Sequence, residues 1–272
     1  MFENCKLKIL LFCLMFFAIL FVGRKMEAGF IIQRPLYIGL ANGLVGYWSF
    51  DGPDVAGVTA YDRSGQNNTG TLTNGPTRAI GKIGQALDFD GVDDSVIIGD
   101  TEIVTTQATF AFWVKFDVVG GAPLSKYGTV KAYRLSITGD EVRFGLNTDV
   151  NSDTTNANIK AGIWYHIVGV FNGDSSSKIQ DVYINGVKQV MTGAATPAAT
   201  PAAIDNTSAQ IKIGEQDNSA QQVDGLIDDV RVYNRALGSE EIKRLYKIGA
   251  TTKINVPRKD TLQTGLVGYW SF

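Results

Sequence analysis

Residues 109–116 read TFAFWVKF. Phe110, Phe112, Val114 and Phe116 fall on one face of an extended chain, so the period of two predicts a strand with a buried face. Residues 164–171, WYHIVGVF, predict a second, mostly buried strand. Around these two lie shorter apolar runs punctuated by turn residues. Tyr133–Ile137 and Glu141–Leu146 flank Thr138-Gly139-Asp140, a hairpin signal. Asp181–Ile184 and Val187–Val190 flank Asn185-Gly186, the strongest two-residue turn signal there is. Ala86–Asp90 and Ser95–Ile98 flank Asp90-Gly91, which is read as a third hairpin. Leu44–Phe50, Ile211–Gly214 and Leu226–Tyr233 complete a set of about ten short strands at regular spacing. Their sum is an all-β chain, a two-sheet antiparallel sandwich of the jelly-roll kind.

One short C-terminal helix interrupts the strands. Ser239 is expected as its N-cap, with Glu240 and Glu241 at its positive end and Lys247 near its negative end. Ile242, Leu245 and Tyr246 make its apolar stripe, and Gly249 is expected to stop it.

The string GLVGYWSF occurs twice, at residues 43–50 and at 265–272. The two copies are separated by about the length of one large all-β domain. This predicts one complete domain over 43–250, a linker over 251–264, and the first strand of a truncated second repeat over 265–272. The implied partner is the protein itself, repeated in tandem in a longer chain. Leu226–Tyr233 is expected to pair with the first strand, so that each repeat closes on itself. Residues 192–203, TGAATPAATPAA, are expected to form an exposed excursion, since proline cannot serve a central strand.

Residues 7–22 are almost entirely apolar and follow Lys6. Residues 1–28 are read as a signal peptide or an N-terminal membrane anchor, with a spacer over 29–42. This predicts a secreted or cell-surface protein that meets the membrane only through its N-terminal segment. Both cysteines, Cys5 and Cys13, fall in that segment, so the exported part has no disulfide framework. The formal net charge is −2 and no basic stripe occurs, which argues against a nucleic-acid partner.

Three groups of side chains invite a chemical reading. The loop from Asp62 to Gly70, DRSGQNNTG, concentrates oxygen donors in Asp62, Asn67 and Asn68. A flexible frame of six to eight oxygens is what calcium takes, and a polar turn held by Asx hydrogen bonds accounts for the same residues. The acidic stretch Asp88, Asp90, Asp93, Asp94 is read as an acidic turn, with a metal or ligand role as the alternative. Tyr127, Tyr133 and Arg134 are candidates for a sugar-binding rim, aromatic faces for the ring and a cation for its hydroxyls. Ordinary strand packing explains them as well. His166 is the only histidine. One histidine cannot build a multi-histidine zinc site, and it is read as a structural residue hydrogen-bonded within the sheet.

In their order along the chain, several stretches resemble the laminin G-like, concanavalin A-like lectin/glucanase jelly-roll domains of bacterial secreted and surface proteins. They are GLVGYWSFDG at 43–52, DRSGQNNTGTL at 62–72, GKIGQALDFDGVDDSVII at 81–98, GIWYHIVGVFNG at 162–173, VYINGVKQ at 182–189 and DGLIDDVRVYNRALGSEEIKRLY at 224–246. The resemblance implies a structural calcium ion near the Asp62 loop, aided by an acidic residue of the last strand, Asp228 or Asp229. The expected donor set is Asp62, Asn67 and Asp228. The resemblance also implies a non-catalytic binding or adhesion module for carbohydrate or another surface polymer. A passive spacer domain is the alternative. A glycan hydrolase is set aside, because the E-x-D-x-x-E strand of the glucanase branch is missing, and no catalytic residue is assigned.

Overall fold

The alternation at 109–116 is realised as a strand whose Phe110, Phe112, Val114 and Phe116 are all fully buried between two sheets. Fully burying side chains of this size is worth about 1.5–3 kcal/mol each. The computed structural model describes residues 39–251 apart from 100–105, 128–130, 148–149, 155–156, 177, 194–199, 206 and 216–220. The expected signal or anchor segment, nearly all of the spacer, the linker beyond Thr251 and the second GLVGYWSF lie outside the described residues.

In chain order the first strands are β1 (Leu44–Trp48), β2 (Val55–Ala56), β3 (Thr59–Ala60), β4 (Gly70–Thr73), β5 (Thr77–Ile80) and β6 (Gln85–Asp90). Next come β7 (Ser95–Ile98), β8 (Gln107–Val118), β9 (Gly121–Tyr127), β10 (Lys131–Thr138), β11 (Glu141–Leu146) and β12 (Val150–Thr154). The last are β13 (Trp164–Asn172), β14 (Ile179–Ile184), β15 (Val187–Lys188), β16 (Met191–Gly193), β17 (Ile211–Ile213) and β18 (Asp224–Tyr233), followed by the helix α1 (Ser239–Thr251). One sheet has the order β15-β14-β13-β8-β18-β6-β5, with β1 also on β18. The other runs β16-β12-β11-β10-β9-β17-β7-β4-β3-β2. The two sheets face each other across the aromatic core, as the all-β reading requires.

The expected closure is present: β1 pairs antiparallel with β18, Leu44 opposite Tyr233 and Trp48 opposite Val230. The Gly139-Asp140 and Asn185-Gly186 hairpins are also present. Asn185 and Gly186 both have positive φ, 53° and 77°, the primed turn such dipeptides favour.

The Asp90-Gly91 hairpin is not formed. β6 pairs with β5 and β18 in the first sheet, whereas β7 pairs with β4 and β17 in the second. The Asp90 carboxylate accepts the N–H of Val92 at 2.9 Å, and Asp94 accepts the N–H of Asp90 at 3.0 Å. The turn therefore closes on its own side chains and hands the chain from one sheet to the other.

The helix lies on the outer face of the first sheet, where Ile242, Leu245 and Ile248 pack with Val168, Val170, Tyr183 and Tyr233. Its cap is Gly238 rather than Ser239. The Gly238 carbonyl accepts from Ile242, and Glu241 reaches back to the Gly238 N–H at 3.1 Å, half of a capping box. Gly249 does not end it, since the helix continues to Thr251. A Cβ at Gly249 would stand 2.5 Å from the Trp113 indole, so this glycine serves close packing. Among the described residues no helix is long and apolar enough to cross a membrane.

Candidate functional site

The inter-sheet corner builds a polar, acid-lined concavity. β6 delivers Asp88, Phe89 and Asp90, and the turn after it delivers Asp94. Asp224 opens β18 directly opposite Asp90, and Asp117 lies near the end of β8. The β4–β5 connection closes the side with Asn74 and Gly75, and β5 adds its first residue, Thr77. Together they line a cleft of about 430 Å³. Asn74 donates to the Asp93 carbonyl at 2.9 Å and ties that side to the corner. Gly91 allows the close approach: its φ is 74°, and a Cβ there would press on the Asp224 side chain.

Asp94 is buried while Asp90 and Asp93 are exposed, and one carboxylate oxygen from each lies within 4.8 Å of the others. These are hard donors of the type a divalent cation such as calcium takes. Burial raises the Asp94 carboxyl above its ordinary pKa, with Asp90, Asp93 and Asp88 adding repulsion and the Asp90 N–H opposing it. Asp88 is also raised, first by burial and then by Asp117 and Asp224, against the pull of Lys115. Asp117 and Asp224 are far from the 88–94 stretch in sequence. Only the register of β18 on β6 and β8 brings them in, and no linear spacing announces it.

The Asp62 loop is put together differently. Asp62 accepts the backbone N–H groups of Tyr47 at 2.9 Å, Ser64 at 2.8 Å and Asn68 at 2.9 Å, and the Ser64 hydroxyl at 2.7 Å. Both of its oxygens are engaged by protein donors, an Asx-type turn. Asn67 is exposed with φ of 62°. Tyr47 also accepts the Arg63 N–H through its carbonyl at 2.8 Å, so the loop covers the edge of β1 that faces away from β18. β1 therefore stands between Asp62 and β18, the strand that carries Asp228.

Asp228 is fully buried on the helix-covered face, where it accepts the Ile83 N–H at 2.8 Å. Gly81 makes room for it, since a Cβ there would lie 2.6 Å from the carboxylate. The expected trio of Asp62, Asn67 and Asp228 is thus divided between two different sets of partners. Asp229 occupies a bulge in β18 with φ of 54° and pairs with Arg231 at 3.0 Å. The Arg231 guanidinium in turn lies 4.2 Å over the Tyr47 ring.

The expected sugar-binding rim does not assemble. Tyr133 is a core residue, stacked on Phe110 with ring centroids 4.3 Å apart, because its position in β10 points between the sheets. Tyr127 is half-buried, and its ring carries Arg134 at 5.1 Å and Lys131 at 5.3 Å. The Arg134 side chain is itself buried. His166 lies in β13 beneath α1, 5.1 Å from the Trp113 ring and 6.3 Å from Tyr246. Its backbone is bonded within the sheet as expected, the N–H donating to Asn185 Oδ1 at 3.0 Å and the carbonyl accepting from the Asn185 N–H at 2.8 Å, while its ring Nδ1 has no hydrogen-bond partner among the described residues.

The family model described as the concanavalin A-like lectin/glucanases superfamily, of laminin G type, matches residues 90–243, and the chain belongs to that superfamily. A search of curated proteins found no match. Among solved structures, domain 4 of AbnA, an extracellular GH43 arabinanase from Geobacillus stearothermophilus in complex with arabinotriose, is similar with a TM-score of 0.60. The identity is 22%, covering 75% of this chain and 98% of that one. The binding domain of Paraclostridial Mosquitocidal Protein 1 gives a TM-score of 0.59 at 16% identity, covering 77% of this chain and 53% of that one. Trypanosoma rangeli sialidase with the inhibitor DANA gives 0.53 at 19% identity, covering 75% of this chain and 32% of that one. At these identities the likeness is one of fold.

Proposed function

We propose that this chain is a non-catalytic binding module, secreted or held at the cell surface, that recognises carbohydrate or another surface polymer. The observation that carries the reading is the corner cleft of about 430 Å³, in which Asp88, Asp90, Asp94, Asp117 and Asp224 gather beside Asn74 and Thr77. Carboxylates accept hydrogen bonds from paired sugar hydroxyls, and Asn and Thr both donate and accept. Val92 in the corner and Val118 opposite Asp224 are both exposed, which offers apolar contact for the C–H face of a ring. The superfamily supports the same reading, and one domain of this fold was solved with arabinotriose bound.

Catalysis is not part of the proposal. The raised carboxyls, Asp88 and Asp94, owe their shifts to burial and to repulsion within an open acidic cluster. A structural calcium ion belongs to the proposal. The Asp90–Asp94 corner suits it better than the Asp62 loop, whose carboxylate already serves four protein donors.

A glycan array probed with the protein in calcium and in chelator, followed by titration calorimetry on any hit, tests the reading. Binding that Asp224→Asn weakens at least tenfold, with the fold intact, supports it. A protein that binds no saccharide in either condition is better described as a spacer, and hydrolysis of a bound glycan would make it an enzyme.

A further inference from the structure

The first strand sits in a slot that the chain encodes two keys for. One wall of the slot is β18, with Leu44, Gly46, Tyr47 and Trp48 opposite Tyr233, Val232, Arg231 and Val230. The other wall is the Asp62 loop. Asp62 accepts the Tyr47 N–H at 2.9 Å, Arg63 donates to the Tyr47 carbonyl at 2.8 Å, and Asn68 donates to the Val45 carbonyl at 2.6 Å. The floor is the core, where Trp48 is fully buried and its indole N–H donates to the Asn68 carbonyl at 2.9 Å. Gly46 is required beside it, because a Cβ there would collide with the Trp48 ring.

The hydrogen bonds at both walls come from the strand's backbone, and the floor is filled by one tryptophan. Residues 265–272 repeat residues 43–50 without a change: Gly268 corresponds to Gly46, Tyr269 to Tyr47 and Trp270 to Trp48. We propose that residues 265–272 of one copy enter this slot on a second copy when the latter's own 43–50 has left it. The partner is a second copy of the chain, and the interaction is an exchange of first strands.

Residues 252–264 join the end of α1 to the second key. When extended they span up to about 45 Å, comparable with the width of a domain of about 210 residues. The contacts in the slot are the same for either key, so the choice between them is one of effective concentration. The native strand runs directly into Ser49 and Asp54, which bond to each other at 2.6 Å, and this short connection favours it. Exchange emerges once the native key is weakened.

The test uses the full chain in four forms: unchanged, Trp48→Ala, Trp270→Ala and both together. Thermal unfolding is read alongside energy transfer between donor-labelled and acceptor-labelled copies. Trp270→Ala alone should leave the melting temperature within about a degree. Trp48→Ala should lower it and raise the energy transfer, as Trp270 of a neighbour fills the slot. The double variant should melt lower again, by roughly 10 °C, and lose the transfer. Gly268→Val in the Trp48→Ala background should act like Trp270→Ala, because the branched side chain meets the tryptophan ring. Trp48→Ala and the double variant melting together would overturn the proposal. So would a Trp48→Ala chain that does not fold, or one that shows no energy transfer.

Discussion

The Asp228 carboxylate accepts the backbone N–H of Ile83 at 2.8 Å and joins β18 to the turn before β6 across 145 residues of sequence. Burial pushes this carboxyl up to about 8. The Ile83 N–H opposes the shift, and neighbouring Asp229 and Asp51 add to it. Lys82, from the same turn, lies 5.0 Å over the Trp113 ring. In the unfolded chain the group titrates near 3.8, so the folded state holds its proton over the interval between these values. The stability this provides is complete below about pH 4 and is lost as the pH rises toward 8. Asp228→Asn keeps an acceptor for Ile83 and removes the ionisation. Its stability relative to the parent should rise between pH 4 and pH 8, by up to about a few kcal/mol at the alkaline end, with its melting temperature rising in step. Parallel melting curves across that range would show that Asp228 is ionised in the fold.

Asp62 offers a second test, one that separates a turn from a metal site. Its carboxylate serves the N–H groups of Tyr47, Ser64 and Asn68 and the Ser64 hydroxyl. Asp62→Ala should therefore cost about 2–4 kcal/mol through the donors left without a partner. The loss should be equal in calcium and in chelator, as measured by denaturant unfolding. A loss confined to calcium would return the ion to this loop.

How much of this was legible beforehand follows the distance over which each feature acts. The buried face of Phe110, Phe112, Val114 and Phe116 is a local alternation, and the strand forms with that face inward. The Asn185-Gly186 turn is equally local. Asp90-Gly91 has the same composition, yet it joins two sheets, because the choice is made by β5, β18, β4 and β17 rather than by the turn itself. The cleft shows the same limit. Asp88, Asp90 and Asp94 are visible as a run of acids, but Asp117 and Asp224 join them only through strand pairing. Tyr133 was ambiguous for a related reason, since an aromatic residue on a strand looks alike in sequence whichever face it takes.

His166 gives a clean spectroscopic prediction because no other histidine is present. Burial, reinforced by the positive charge of Arg231, pushes its pKa down to about 3. The ring should stay neutral in the folded protein down to about pH 4. Its proton resonances, followed by NMR, should show no titration between pH 7.5 and pH 4.5. Since the unfolded group titrates near 6.5, the stability tied to the neutral ring is complete above that value and declines as the pH falls toward 3. A midpoint near 6.5 in the folded protein would place the ring in water and contradict the packing against Trp113 and Tyr246.

Gly249 sets helix propensity against packing, and the distances decide which wins. Replacing a glycine by alanine inside a helix ordinarily gains about 1 kcal/mol. Here a Cβ would lie 2.5–2.6 Å from three atoms of the Trp113 indole, a fully buried side chain. The ring has little room to retreat, with Tyr246 stacked at 5.7 Å and His166 at 5.1 Å. Overpacking of this kind costs about 1–3 kcal/mol. Gly249→Ala should therefore lower the melting temperature by roughly 2–6 °C despite the better helix former. Combining it with Trp113→Phe, which removes the crowded part of the indole, should recover part of the loss caused by the added methyl group, so the pair should be non-additive. Additive losses in this cycle would mean that the helix end shifts away from the sheet, and that Gly249 is not held there by the tryptophan.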